Sequence, residues 1–406
     1  MNNPPDDLRS QLERYFQIKY GDVAGTVLVR APGRVNLIGD HTDYNGLPVF
    51  PAAIRRHIML LFRAREDDRV RIRNLDDEFP DRAFGADLWI PPAEGSDWSN
   101  YVRAGVQSVV RRTGEGGPVR GWEGVVGSNL PRASGLSSSS ALVVASALAT
   151  LSVNEAGMKP LELADLLARG EQYVGTQGGG MDQAICLGGR AGHAFRIDFG
   201  PLRMTPTRIP DDWVFLVAGS LAVKTADARS QYNVRARQCR EALQRLAVEA
   251  ALPGATAGYS TLLANNDAAV LLETAEHLLP DPLNRRFRHT VTEAGRVLAA
   301  ERAMAAHDGE EFGRLMVASH ESLRDDFGVS TEALDDLVRI ALDAGADGAR
   351  LTGAGFGGCA IALCRTTTVD AVREALRAKF YAPRGVPEPE PGDLFTAEAG
   401  DGARIE

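Results

Sequence analysis

The spacing of apolar and polar positions predicts a mixture of strands and helices in the first half of the chain. Alternation typical of strands covers residues 26–30, 54–72 and 122–128, the second as antiparallel strands with one solvated face. Apolar residues at helical spacing predict helices over residues 6–20, 98–112 and 161–169. Residues 76–97 are rich in Asp, Pro and Gly, which predicts a loop.

The pattern changes near residue 205. Residues 205–213 (TPTRIPDDW) resemble a linker, and a buried strand begins at Trp213, so we expect two domains, 1–205 and 206–406. A glycine loop with an apolar strand follows in residues 351–364, and a short strand begins at Leu394. The helices predicted for this half cover residues 226–247, 258–278, 284–306, 310–323, 331–343 and 368–379.

Small and hydroxyl residues run into an apolar helix between Leu130 and Leu151 (LPRASGLSSSSALVVASALATL). Gly135 and Ser137–Ser140 lack the bulk to keep a ligand from the backbone, and Ala141–Leu148 contains no helix breaker. A helix N-terminus offers unpaired N–H groups and about half a positive charge, which suits a polyphosphate. The stretch is therefore a candidate phosphate loop, although it does not match the Walker pattern. An ordinary serine-capped buried helix is the alternative.

Polar side chains crowd the segment from Ala31 to Pro51 (APGRVNLIGDHTDYNGLPVFP). A solvated turn would use Asp, Asn and Gly, but it would not need Arg, His and Tyr between two strand-like segments. A sugar site needs several short carboxylates and amides, because each hydroxyl buried without a partner is costly. The segment is therefore a candidate carbohydrate site.

Two glycine-rich stretches add further candidates. In residues 170–185 (GEQYVGTQGGGMDQAI), three glycines precede Asp182, the candidate catalytic residue, for which a turn or helix cap is the alternative. Residues 353–358 (GAGFGG) contain G-x-G-x-x-G, but a strand-like run follows instead of a helix. That context argues against a dinucleotide-binding fingerprint, and a tight turn is the alternative to a functional loop.

Composition narrows the possible functions. A chain of 406 residues with 44% apolar and 24% charged residues is typical of a globular protein of two domains. The net charge of −9 disfavours nucleic-acid binding, which depends on clustered Lys and Arg. No apolar run is long enough to cross a bilayer, and the start MNNPPDDLRS lacks the features of a secretory signal, so we expect a cytoplasmic protein. The scattered cysteines, predicted to be reduced core thiols, are Cys186, Cys239, Cys359 and Cys364.

Three segments in order resemble the sugar kinases of the GHMP superfamily, and its galactokinase branch in particular. PGRVNLIGDHTDYNG resembles the sugar-binding signature of that branch, SGLSSSSAL its phosphate loop, and LTGAGFGGC its third motif. The resemblance implies an α+β (mixed α/β) chain with the two-domain GHMP kinase fold and an active site in the cleft between the domains. It also implies an ATP-dependent kinase that phosphorylates the anomeric hydroxyl of galactose or a similar sugar.

The resemblance assigns roles to individual residues. Asp182 would take the proton from the anomeric hydroxyl or act as an electrostatic anchor, and Arg34 would keep it ionised and stabilise the phosphoryl group. Mg²⁺ would be held by Ser139 or Ser140 and by Glu171. The residues implied for ATP are Ser134, Gly135, Leu136, Ser137, Ser138, Ser139, Ser140, Ala141, Lys224, Gly353 and Gly355, with Lys224 equally readable as a surface charge.

The sugar would contact Arg34, Asp40, His41, Asp43, Gly179, Gly180, Asp182 and Tyr232. Position 40 departs from the family pattern, which has Glu where this chain has Asp. The missing methylene withdraws the carboxylate by roughly 1.5 Å, which is enough to lose a hydrogen bond to the sugar. Either the pocket adjusts and galactose stays the substrate, or the space accepts a sugar extended at C6, such as a heptose or octose.

Two other functions compete with a galactokinase-like enzyme. A sugar sensor would bind ATP and sugar without turnover, but it would have no need of both Arg34 and Asp182. A related kinase for mevalonate or homoserine would not need the polar HTDYN segment, because those substrates carry fewer hydroxyls. The expected partners are a small sugar and ATP, and the chain is expected to be a monomer that binds neither nucleic acid nor membrane.

Overall fold

A computed structural model describes residues 5–95, 97–113, 119–131, 135–175, 178–222 and 227–406. With strands numbered in chain order, the first sheet has the spatial order β12 (Arg404–Ile405), β1 (Val27–Ile38), β2 (Phe50–Ala64), β5 (Trp122–Ser128), β3 (Arg69–Asn74) and β4 (Arg82–Gly85). For β2 the antiparallel pairing predicted over residues 54–72 is correct, but the predicted solvated face is wrong, because both of its faces are buried. The antiparallel prediction is also wrong for β3 beside β5. These two strands run parallel, because β5 lies between β2 and β3.

Helices cover both faces of this sheet. Their bounds are α1 (Pro5–Tyr20), α2 (Ser99–Thr113), α3 (Ser138–Val153), α4 (Pro160–Gly170) and α5 (Met181–Gly188). Along β2, Met59 and Leu61 pack with α1, whereas Leu60 and Phe62 point into the main core, as period-two alternation requires. Helix α3 is apolar on nearly every side because it packs between α2 and the strands β1 and β2.

A second sheet has the order β11 (Leu394–Thr396), β8 (Trp213–Gly219), β10 (Cys359–Arg365) and β9 (Gly348–Thr352). Both of its faces are buried. Phe215 and Val217 belong to the core of the first sheet, whereas Leu216 and Ala218 belong to a second core. The helices that enclose the second core include α6 (Asp227–Glu249), α7 (Tyr259–Asn265), α8 (Ala268–Leu278), α9 (Leu283–Ala305), α10 (Gly309–Ser322), α11 (Glu332–Asp343) and α12 (Val369–Leu376).

Three segments differ from the sequence predictions. The predicted loop 76–97 contains the short strand β4, and the predicted linker 205–213 overlaps β7 (Arg203–Arg208), which pairs with β6 (His193–Asp198). The predicted helix 258–278 is two helices, because the Asp267 side chain accepts hydrogen bonds from the first N–H groups of α8 and starts a new helix there.

The C-terminal residues return to the first sheet. Glu406 N–H donates to the Leu28 carbonyl (2.8 Å), so the chain ends beside β1. The division into domains at residue 205 remains a proposal. The predicted core thiols are confirmed, since Cys186, Cys239, Cys359 and Cys364 are buried and are not joined in disulfides. Among the helices that the structure describes, none is long and apolar enough to span a membrane.

Candidate active site

An ion pair joins the candidate carbohydrate segment (residues 31–51) to the glycine-rich stretch 170–185. Arg34 lies on β1 and Asp182 in the first turn of α5, and Arg34 Nε donates to Asp182 Oδ1 at 2.7 Å. The Arg34 side chain is 7% exposed and the Asp182 side chain 24%, so the carboxylate is open to a ligand while its partner is nearly buried. The two residues expected to act in catalysis are therefore in direct contact.

The serine-rich loop contacts the same pair. Arg34 Nη1 donates to the Gly135 carbonyl (2.6 Å), and the Ser137 hydroxyl donates to Asp182 Oδ2. Ser137 has a left-handed backbone (φ 59°), which directs its side chain toward Asp182 at the start of α3. Both carboxylate oxygens of Asp182 thus have a fixed donor.

Glycines bring the sugar-binding segment and the glycine loops close together. A Cβ on Gly179 would lie 2.1 Å from the Asp43 carbonyl carbon, and Gly179 N–H donates to Asp43 Oδ2 (3.1 Å). Gly353 has φ +84°, and a Cβ there would lie 2.9 Å from the Gly135 carbonyl oxygen. Only glycine allows these backbone approaches, which explains why both loops carry it.

A second carboxylate, Asp40, lies deeper in the site. Arg350 on β9 donates from Nη2 to Asp40 Oδ2 (2.5 Å), and Gly353 N–H donates to Oδ1 (3.1 Å). The Arg350 and Asp40 side chains are 0% and 2% exposed. Asp40 and Arg350 therefore form a buried ion pair. Asp40 nevertheless lines the cavity of the site.

Aromatic rings form one wall of the site. His41 Nε2 lies 3.1 Å from the Ala354 carbonyl oxygen, which can only accept, so that nitrogen carries the proton. The other nitrogen then accepts from the Tyr44 hydroxyl at 3.0 Å. Burial lowers the pKa of His41 to about 3, which keeps the ring neutral. The rings of Tyr232 and Phe327 pack against it at 5.3 and 4.8 Å.

These groups enclose a cavity of about 220 Å³, here called the sugar-side cavity. Every residue expected to contact the sugar lines it. The full lining is Arg34, Asp40, His41, Asp43, Gly178, Gly179, Gly180, Met181, Asp182, Gln183, Ala228, Arg229, Tyr232, Gly353, Ala354 and Gly355. The expected ATP-contacting glycines Gly353 and Gly355 also lie here.

Asp43 is a third carboxylate of this cavity, and its charge depends on pH. Burial, followed by the nearby charge of Asp182, raises its pKa to about 6. Its hydrogen bonds with backbone N–H groups only partly oppose that rise. Asp43 therefore changes protonation state close to neutral pH, where it could accept or donate a hydrogen bond to a hydroxyl.

A second cavity of about 560 Å³, here called the nucleotide-side cavity, begins on the other side of the serine loop. Gly135, Ser137, Ser138 and Ser139 form its polar edge. Its apolar and aromatic lining includes Phe79, Trp98, Tyr101, Leu130 and Leu142. A polar mouth at a helix N-terminus with an aromatic interior suits a phosphate chain attached to a flat base.

The other residues expected to bind ATP and Mg²⁺ differ in burial and in whether they line a cavity. Leu136, Ser140 and Ala141 are buried, with the Leu136 carbonyl accepting from Arg34 N–H (3.1 Å). Ser134 and Lys224 lie outside the described residues, as does the side chain of Glu171. Of the two serines expected to bind Mg²⁺, Ser139 lines the nucleotide-side cavity. One hydroxyl beside a polyphosphate fits Mg²⁺, because this ion keeps several waters and takes its other ligands from phosphate.

Sequence reasoning missed the residues that hold the sugar-binding segment from behind. On α9, Glu293 accepts from Gly39 N–H (2.9 Å), and His289 Nε2 donates to the Asp40 carbonyl (3.1 Å). Their i,i+4 spacing places both side chains on one helix face. Although burial raises the pKa of Glu293, the charge of Arg296 and other groups lower it to about 2, so it stays ionised.

Comparisons with known proteins agree with this geometry. Residues 14–64 match the galactokinase galactose-binding signature, 100–190 the GHMP kinases N terminal domain and 300–382 the GHMP kinases C terminal family. The galactokinase of Roseiflexus sp. (strain RS-1) is 39% identical over 399 residues, which are 97% of this chain and 96% of the relative. The chain belongs to the galactokinase family.

Other members of the galactokinase family are similarly close. The galactokinase of Chloroflexus aurantiacus is 40% identical over 358 residues, covering 86% of this chain and 87% of the relative. The galactokinase of Lactococcus lactis, solved in complex with galactose, is 32% identical with a TM-score of 0.87, covering 98% of this chain and 99% of that one. The predicted family and the two-domain GHMP kinase fold are confirmed.

Proposed function

We propose that the chain is an ATP-dependent sugar 1-kinase that phosphorylates the anomeric hydroxyl of galactose. The observation that carries this proposal is the contact between Arg34 and Asp182, which line the sugar-side cavity, together with Ser137 of the serine loop, which lines the nucleotide-side cavity and donates to Asp182. Galactokinase-family relatives that cover nearly the whole chain support it. A sugar in one cavity and a nucleotide in the other would meet at that loop.

In this reaction the C1 oxygen of the sugar attacks the terminal phosphorus of ATP. The bond from that phosphorus to the bridging oxygen breaks, ADP leaves, and the hydroxyl proton passes to the Asp182 carboxylate. Arg34 and Ser137 hold the carboxylate in place, and the Arg34 guanidinium offers positive charge to the transferring group. Positioning and charge neutralisation supply most of the rate in such transfers.

Ser139, with Glu171 as a further candidate, would hold Mg²⁺. When bound, Mg²⁺ neutralises charge on the phosphate oxygens. The backbone N–H groups at the start of α3 would hold the phosphates of ATP, and the aromatic lining near Trp98 and Tyr101 would receive the base.

A kinase for a sugar extended at C6 is a second candidate. It is favoured by the position of Asp40, whose carboxylate is drawn back against Arg350 and Gly353 N–H. An Asp40→Glu variant tests it by comparing kcat/KM for galactose and for a heptose with the galactose configuration. If the substitution leaves that ratio unchanged, the second candidate is wrong.

The proposal is tested with a coupled assay of ADP release over a panel of hexoses, amino sugars and longer sugars. Galactose-dependent ADP release with galactose 1-phosphate as product is the expected result. If no sugar produces ADP release while ATP and galactose still raise the melting temperature, the chain is a sensor and the kinase proposal is wrong. We further propose a cytoplasmic monomer that binds neither nucleic acid nor membrane, which size-exclusion chromatography and cell fractionation test.

A further inference from the structure

Arg229 occupies a position that the proposed chemistry leaves unexplained. It is the third residue of α6 and lies one helical turn before Tyr232, so both side chains line the sugar-side cavity. Arg229 is nonetheless exposed, which places its guanidinium at the cavity mouth.

The guanidinium of Arg229 also contacts a residue that lines the nucleotide-side cavity. Nη2 donates to the hydroxyl of Tyr101, which lines that cavity, and Nη1 donates to the Val174 carbonyl; both distances are 3.1 Å. Arg229 therefore lines one cavity and contacts the wall of the other.

The partners of Arg229 are neutral. Its guanidinium donates to a phenol and to a carbonyl, and it forms no ion pair among the side chains that the structure describes. A guanidinium has five N–H donors, so these two contacts orient the group and leave three donors for another acceptor. Arg34, in contrast, is already paired with Asp182.

The charge around Arg229 favours an anionic ligand. Of the three carboxylates that line the sugar-side cavity, Asp40 and Asp182 are paired with Arg350 and Arg34, whereas Asp43 would repel the phosphates of ATP when it is ionised. An oriented guanidinium at the mouth offsets that repulsion and matches phosphate oxygens with paired N–H donors.

We propose that Arg229 contacts the terminal phosphate of the bound nucleotide. This inference rests on the proposed kinase function and adds a binding residue from α6 to the serine loop and Arg34. It predicts that substrate phosphate is held from both sides of the cleft, with Tyr101 keeping the guanidinium in position beforehand.

The test measures binding by calorimetry to the non-hydrolysable analogue AMPPNP, to adenosine and to galactose 1-phosphate. For Arg229→Ala we expect AMPPNP affinity to fall about tenfold or more, as for a lost hydrogen bond to a charged group, with adenosine affinity unchanged. Arg229→Lys should recover part of the loss, because charge returns without the planar donor pair. Arg237→Ala is the matched control, since it removes an exposed arginine two turns further along α6.

Three outcomes would overturn the proposal. Arg229→Ala could bind AMPPNP as tightly as Arg237→Ala does, or it could lose adenosine and AMPPNP affinity equally, which would mean that Arg229 only shapes the pocket. A loss confined to galactose 1-phosphate would assign the contact to the product. Failure of the kinase proposal is seen separately, as wild-type protein that releases no ADP with any sugar, whereas the binding comparison needs no turnover.

Discussion

Two guanidinium–carboxylate pairs lie within the same site and differ in their surroundings. The Arg34–Asp182 pair faces the cavity, with 24% of the Asp182 side chain exposed and a serine hydroxyl on its second oxygen. The Asp40–Arg350 pair is sealed, at 2% and 0% exposure, with the Asn36 carbonyl accepting from Arg350 and Gly353 N–H donating to Asp40.

The difference follows from where each pair sits in the fold. Asp182 is the second residue of the short helix α5, which follows three glycines, and its carboxylate lines the sugar-side cavity. Arg350 lies on β9, an edge strand of the second sheet whose residues are all buried, and Asp40 meets it across the boundary between the two sheets. An exposed pair can exchange a proton with a ligand, whereas a sealed pair fixes the position of a loop. The first should therefore control rate and the second should control stability.

Replacing Asp182 should have the largest effect. Asp182→Asn keeps the shape and an acceptor for Ser137 but cannot take up the sugar proton, so kcat should fall by about 10²- to 10⁴-fold. Steady-state ADP release measures this, and calorimetric sugar affinity and the melting temperature should change little. A fall of kcat below about tenfold would show that Asp182 is not the proton acceptor.

Breaking the sealed pair should instead reduce the free energy of unfolding. Arg350→Met leaves Asp40 buried without its partner, which should cost about 3–5 kcal/mol in urea unfolding. Burial already raises the pKa of Asp40 with Arg350 opposing that rise, so the variant should take up a proton there. The double variant Asp40→Asn/Arg350→Met should be more stable than Arg350→Met alone. Equal urea midpoints for wild type and Arg350→Met would remove the distinction between the two pairs.

The Ser137 hydroxyl, which donates to the Asp182 carboxylate, should have a smaller influence on the rate. Ser137→Ala removes one charge-assisted hydrogen bond from the carboxylate, so kcat should fall about tenfold or somewhat more. Ser152→Ala, at the far end of the same helix, is the matched control and should stay within twofold of wild type. If both variants have the same kcat, Ser137 does not orient the carboxylate.

How much of this site could be predicted depended on local signals. The segments around Arg34, the serine loop and Asp182 carry unusual densities of polar groups or glycines, and the fold brings all three together as expected. Their family resemblance also predicted the two-domain fold correctly. These residues are recognisable in the sequence because their function needs several special neighbours within a few positions.

Arg350, Glu293 and His289 carried no such signal. An arginine in a strand and a glutamate in a helix are common, and their roles come from contacts with residues 39 and 40, more than 240 positions away. The strand β7 was also missed. The two prolines and two aspartates of residues 205–213 indicated a linker, whereas the strand forms through its pairing with β6. Tertiary contacts decided both cases.

The smallest predicted effect concerns Asp43, which belongs to neither pair. Its pKa of about 6 lies above its ordinary value of 3.8, so its contribution to stability is present below about pH 4 and is lost as pH rises through about 6. Asp43→Asn should therefore melt above wild type at pH 7.5, with a smaller difference at pH 5. In wild type the KM for galactose should rise several-fold as pH falls below 6, because protonated Asp43 loses acceptor capacity. The Asn variant should lack this pH dependence; if it shows the same KM profile as wild type, another group near the sugar titrates and Asp43 is not the sugar acceptor.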